Sequence, residues 1–144
     1  MGCDIHVYKE KRIDGQWVST DKWENDGKED YWFTENAVYS DRNYDLFALL
    51  AGVRGDFPVS WVAKGEPEDA SPEVARVIKN WDSDGHNHSH LTLKELKEKA
   101  VTMMLYNQHQ EYPYAYEGLK DLISGADDGV TDPADQRVVF FFDN

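Results

Sequence analysis

Apolar and polar residues alternate from the first few positions of the chain. Ile5, Val7 and Tyr8 lead into the charged run Lys9-Glu10-Lys11-Arg12, Asp14-Gly15 supplies a turn, and Trp17-Val18 opens a returning strand. Residues 3–20 therefore read as a β-hairpin. Residues 21–30 are polar and hold Asn25-Asp26-Gly27, which predicts a loop, and Tyr31-Trp32-Phe33 reads as a short strand.

The period then changes to that of a helix. Over Arg42–Gly52, Asn43 is placed to cap, Leu46, Phe47, Leu49 and Leu50 form an apolar face, and Gly52 suits the C-terminal end. Residues 55–69 mix acids, prolines and glycines and predict an irregular connection. Ser71 as N-cap and Pro72 at the first helical position open a second helix, with Val74, Val77, Ile78 and Trp81 at helical spacing. Thr92-Leu93-Lys94-Glu95 is a capping box for a third helix, Leu93 to about Asn107, with Leu93, Leu96, Ala100, Met103 and Met104 on its buried face. A shorter helix over Tyr116–Ser124 and an Asp/Gly/Pro loop over Asp127–Asp135 precede the last strand, Arg137–Phe142.

That last strand is apolar on successive residues, which requires cover on both faces and an interior place in the sheet. The pattern predicts one α+β domain over residues 1–144. A small, mainly antiparallel sheet forms from the first and last strands as neighbours, packed with three to four helices from the middle of the chain.

Composition narrows the function. Acids outnumber bases 28 to 15, a net charge of -13, and no basic stripe offsets it. Nucleic-acid affinity rests on Lys and Arg displacing counterions, so direct binding to a phosphate backbone is not expected. The charge suits divalent cations or an acidic face offered to a basic protein. The single cysteine, Cys3, fits a reducing compartment, no apolar run approaches a membrane span, and no secretory signal opens the chain; cytoplasmic residence is expected. Met1-Gly2-Cys3 lacks the Ser or Thr that myristoylation favours at the sixth position, so Cys3 reads as unmodified.

Two polar clusters hold most of the candidate chemistry. Within Asp82–His90, His86, His88 and His90 alternate, and in an extended segment residues two apart project to one side, where Asp82 and Asp84 can add oxygen donors. Asp4 and His6 form a second such pair on the opening strand. The candidate metal set is Asp4, His6, Asp84, His86 and His88, a donor set that suits Zn²⁺, Mn²⁺ or Fe²⁺ more than Ca²⁺. Cys3 points to the opposite face from Asp4 and is left out. Beside this stands a plainer reading: Asp-Gly marks a turn, and Ser, Asn and His routinely satisfy backbone groups in loops. A calcium loop laid from Asn80 fails, because Leu91 falls where the bidentate Glu belongs. D-x-H, Gly55-Asp56 and Gly85-His86-Asn87-His88 are similar, in order, to three motifs of the calcineurin-type metallophosphoesterases. That family's G-N-H-[DE] motif is absent, so the similarity is one of ligand type.

Three longer strings, Met1–His6, Arg42–Phe47 and Asp84–Ser89, with the closing Arg137–Phe140 and Phe142–Asn144, resemble a family of small proteins found in tailed phages and in bacterial genomes carrying prophage. The resemblance spans the chain and imports no activity; it implies an accessory protein acting in the bacterial cytoplasm. Arg42 and Asp45, at the start of the first helix, are the candidate catalytic residues, Arg42 to pair with Asp4 or hold a phosphate. The resulting expectation is a metal-dependent hydrolase acting on a small phosphoester or nucleotide. Its competitor is a non-enzymatic acidic protein that presents Glu24–Asp30, Glu66–Asp69 and Asp127–Asp135 to a basic host protein. A third reading has the histidines merely bracing the fold.

Overall fold

The structure is a computed structural model that describes residues 2–25, 27 and 32–144. Its frame is an antiparallel sheet of four strands in the order β2-β1-β6-β5, with β1 Asp4–Ile13, β2 Gln16–Ser19, β5 His86–Thr92 and β6 Gln136–Asp143. β1 and β6 run in register from Asp4 opposite Asp143 to Lys11 opposite Gln136. The expected neighbours are neighbours, and the fold is α+β.

Period-two alternation divides β6 between two cores. Val138, Phe140 and Phe142 join Ile5, Val7 and Leu91 against α1 (Tyr44–Ala51), α3 (Leu93–Leu105) and α5 (Pro113–Ala126). Val139 and Phe141 join Tyr8 beneath α2 (Pro72–Trp81), which buries Val74, Val77 and Ile78 on the other face. The unbroken apolar run in β6 thus has the cover its sequence demands.

The helix signals act where the sequence places them. Asn43 Oδ1 accepts from Leu46 N at 3.0 Å, and Gly52 ends α1 at φ 68°. Ser71 and Pro72 open α2, and the Thr92/Glu95 capping box forms in full. Three details differ. Asn107, at φ 58°, breaks the helical path, so α3 stops at Leu105 and a single turn, α4 (Gln108–Glu111), follows. α5 starts at Pro113, whose fixed φ and missing N–H suit a first turn, and not at Tyr116. Met104 is 54% exposed because Leu93, Leu96, Ala100 and Met103 already complete the stripe that faces the core. Trp23–Asn25 (β3) was expected to be loop and instead pairs with Trp32–Thr34 (β4) in a separate two-stranded sheet. The expected loop residues Asp26, Lys28, Glu29 and Asp30, and Tyr31 of the expected strand, lie outside the described residues.

A buried ionic network fastens α2 to the sheet. Arg137 Nε donates to Glu10 Oε1 at 2.7 Å, and Ser71 N, at the α2 cap, donates to Glu10 Oε2 at 2.6 Å. Arg137 Nη1 reaches Asp69 Oδ1 at 3.0 Å, and its guanidinium lies 4.2 Å from the Trp17 ring centre. Both partners of the central pair are almost wholly buried, so losing one strands the charge of the other. Arg137→Ala is expected to lower stability by about 3–5 kcal/mol, read from urea unfolding.

At the far end of β1, Asp21 Oδ2 accepts from Lys9 N at 2.8 Å. Burial outweighs that bond and pushes the Asp21 carboxyl up to about 6. A folded value above the unfolded one means that ionisation opposes folding as pH rises through about 4 to 6. Asp21→Asn, which keeps an acceptor oxygen, is therefore expected to raise the melting temperature relative to the parent at pH 8. Below pH ~4 that advantage should vanish.

Candidate functional site

The strings singled out by the sequence meet at one end of the sheet, where β1 and β5 begin, β6 ends and α1 opens. Cys3 N donates to the Tyr44 hydroxyl at 3.2 Å. Arg42 grips Asp4 with two bonds, Nε to Oδ1 at 2.7 Å and Nη2 to Oδ2 at 3.2 Å. These bonds hold the Asp4 carboxyl below the usual carboxylate range. Gly2 makes the approach possible, since a Cβ there would sit 2.2 Å from Arg42 Nη1. Asp45 stands in the first turn of α1 with no ion-pair partner among the described residues, which suits the positive end of a helix. Cys3 is buried, and burial pushes its thiol up, the opposite of an activated thiolate.

His6 carries the site. Its Nε2 bonds the Asp143 carboxylate, and its ring lies between Trp81, centre to centre 4.5 Å, and Phe141 at 5.1 Å. No group among the described residues partners its Nδ1. Around it opens a cleft of about 460 Å³ between β4 and the end of α2, lined by His6, Trp32, Phe33, Asn80, Trp81 and Asp84 among others. Arg76 lies over the Trp32 ring at 4.7 Å.

The histidines of β5 do not converge as alternation predicts. His86 pairs with Phe142 and Ser89 with Phe140, so three steps on β5 oppose two on β6, and a β-bulge takes up the extra residue at Asn87, φ 52°. One inserted residue turns His86 to the opposite face of the sheet from His88 and His90. There His86 bonds Asn87 Oδ1 at 2.8 Å and Asn144 Oδ1 at 3.2 Å. His88 shares the face of His6 and stacks on Phe141 at 5.2 Å, as His6 does from the other side. With β6 between them the two imidazoles stand about two strand spacings apart, roughly 9–10 Å. Two imidazoles on one Zn²⁺ hold their donor nitrogens within about 4 Å and their ring centres within about 6 Å of each other.

Asp4, His6, Asp84, His86 and His88 are therefore not one ligand set. Among the described residues no three His, Cys, Asp or Glu side chains gather in a way that would hold a metal ion. Burial also lowers the His88 value, favouring neutral imidazole, and its Nε2 has no hydrogen-bond partner among the described residues. His90 is lowered likewise, by burial and by Lys64 and Arg137.

The sequence reading missed Asp143 and the indoles of Trp32 and Trp81. Asp143 closes an apolar strand, and its alternation with Phe141 would have placed it beside His6 had the register been known. Trp81 looked like a core residue of an amphipathic helix. Against known family models, curated proteins and solved structures, the chain matches none. No helix among the described residues is long and apolar enough to cross a membrane.

Asn87 sets the bulge, and its backbone conformation favours Gly and Asn. Asn87→Gly keeps that conformation but gives up the side-chain bonds to His86 and to the Ala51 carbonyl, and is expected to cost about 1 kcal/mol. Asn87→Val, which adds backbone strain to the same loss, should cost about 2–3 kcal/mol, both read by urea unfolding.

Proposed function

We propose that the chain is a small-molecule hydrolase that takes a nucleotide-sized phosphoester, with the His6–Asp143 pair as its base. The observation that carries this reading is the dyad itself, opening on an aromatic cleft. A carboxylate on one ring nitrogen orients an imidazole and stabilises its protonated form, leaving the other nitrogen to take a proton from an attacking water. The cleft volume of about 460 Å³ is that of a small-ligand site, and Trp, Phe, Asn and Asp are suited to stacking a planar base and reading its edge.

Charge decides which part of the ligand enters. Among the described residues no Lys or Arg lines the cleft, Arg76 lying over the Trp32 ring, so the base occupies it and the phosphate lies beyond His6, towards Arg42. Asp4 and His6 lie on one face of β1, and Asp4 holds Arg42 there. Arg42 is half exposed, so it remains available to a phosphate. A net charge of -13 opposes long phosphate chains and favours a single nucleotide over a polymer. A requirement for Zn²⁺, Mn²⁺ or Fe²⁺ would have to be met around His6 and Asp143, with further ligands from the substrate or water.

Trp32 and Trp81 provide the assay. Titration with the common nucleosides, 5′-nucleotides and 2′,3′-cyclic nucleotides is expected to change tryptophan emission saturably, and to do so less in Asp84→Ala. Phosphate-ester cleavage, run with chelator and with each of the three metals, is expected to fall about 10²–10⁴-fold in His6→Gln while binding persists. If no compound binds under any condition, the hydrolase reading is wrong. The acidic surface facing a basic host protein then becomes the reading to pursue.

A further inference from the structure

Five consecutive residues of β1, 4–8, line a second groove of about 240 Å³ opposite Thr34, Ala37, Tyr39 and Ser40. Side chains of a strand alternate between faces, so five in a row share one groove only along the strand's edge. β2 covers that edge no further than Glu10–Ile13 in the paired register. Beyond it, Lys9 receives Thr20 N at its carbonyl, 3.1 Å, and donates to Asp21 Oδ2 at 2.8 Å. At the other end, Cys3 N is bonded to Tyr44. Lys9 and Cys3 thus aim their main-chain groups at this edge, and so do Ile5 and Val7 between them, while residues 4, 6 and 8 turn theirs to β6. Among the described residues nothing bonds Ile5 or Val7 on this side.

We propose that this groove takes an extended, Lys- or Arg-bearing peptide by strand addition, end to end with β2. The four open groups alternate donor and acceptor at two-residue spacing, which a polypeptide main chain matches and a phosphate or sugar does not. The charge of the occupant follows from the rim. Asp41 is exposed just past Ser40, Asp4 and Arg42 offset each other as a pair, and the chain carries a net charge of -13. The groove shares Asp4 and His6 with the site proposed for hydrolysis, but the main-chain pairing does not require that activity.

The test is amide hydrogen exchange on the full chain by NMR, with an alternating lysine–valine heptapeptide as probe. In the free protein Ile5 and Val7 should exchange at least tenfold faster than His6 and Tyr8. The peptide should slow Ile5 and Val7 at least tenfold. N-methylation of alternate peptide amides should weaken binding about tenfold per lost bond. Ala37→Trp, which fills the groove from an exposed loop, should abolish binding without lowering the melting temperature. Four results would overturn the proposal: Ile5 and Val7 already protected in dilute free protein, no protection on adding the peptide, equal binding of a glutamate–valine heptapeptide, or protection that grows with protein concentration alone. The last would make a second copy the occupant.

Discussion

Everything in this molecule hangs on β6 lying between β1 and β5 with both faces buried. Its main chain is bonded on two sides, and its side chains supply both cores: Val138, Phe140 and Phe142 to the three-helix layer, Val139 and Phe141 to α2. The pairing joins Asp4 to Asp143, so it closes a loop of nearly the whole chain. Closure entropy grows only slowly with loop length, and the apolar area of three consecutive phenylalanines is what offsets it. The Glu10–Arg137 pair adds direction rather than bulk stability. Buried between β1, β6 and the cap of α2, it has one geometry in which both charges are satisfied.

The same strand also creates and divides the chemistry. By ending at Asp143 opposite Asp4, β6 delivers a carboxylate to His6. By carrying Phe141 through the middle of the face, it separates His6 from His88 and leaves each ring stacked on the phenylalanine. A site that looked in sequence like two halves of a metal centre becomes a histidine–carboxylate pair beside an aromatic cleft. The bulge at Asn87 completes the separation by sending His86 to the far face.

Local signals were legible where the physics is local. The caps at Asn43, Ser71 and Thr92 and the turn at Asp14-Gly15 need only neighbouring residues, and each acts as read. The two-sided burial of β6 was legible for a similar reason, because an unbroken apolar run can be satisfied in few ways. Asp4 with Arg42 was anticipated as a pairing of charges. Asp143 was invisible as a partner, since its role depends on a register across almost the full sequence. The outward turn of Met104 depended on how many residues the core could hold.

The sequence by itself determined the class of fold, the helix starts, the central place of the last strand and the gathering of unusual polar residues near strand ends. These follow from periodicity, capping chemistry and the cost of exposing apolar surface, all of which operate over a few residues. Only the tertiary structure decided which polar residues face one another. In a sheet a single inserted residue reverses every side chain beyond it, and no pattern in Asp-Gly-His-Asn-His announces that insertion. Adjacency across strands is a matter of register, and register is set by the packing of the whole.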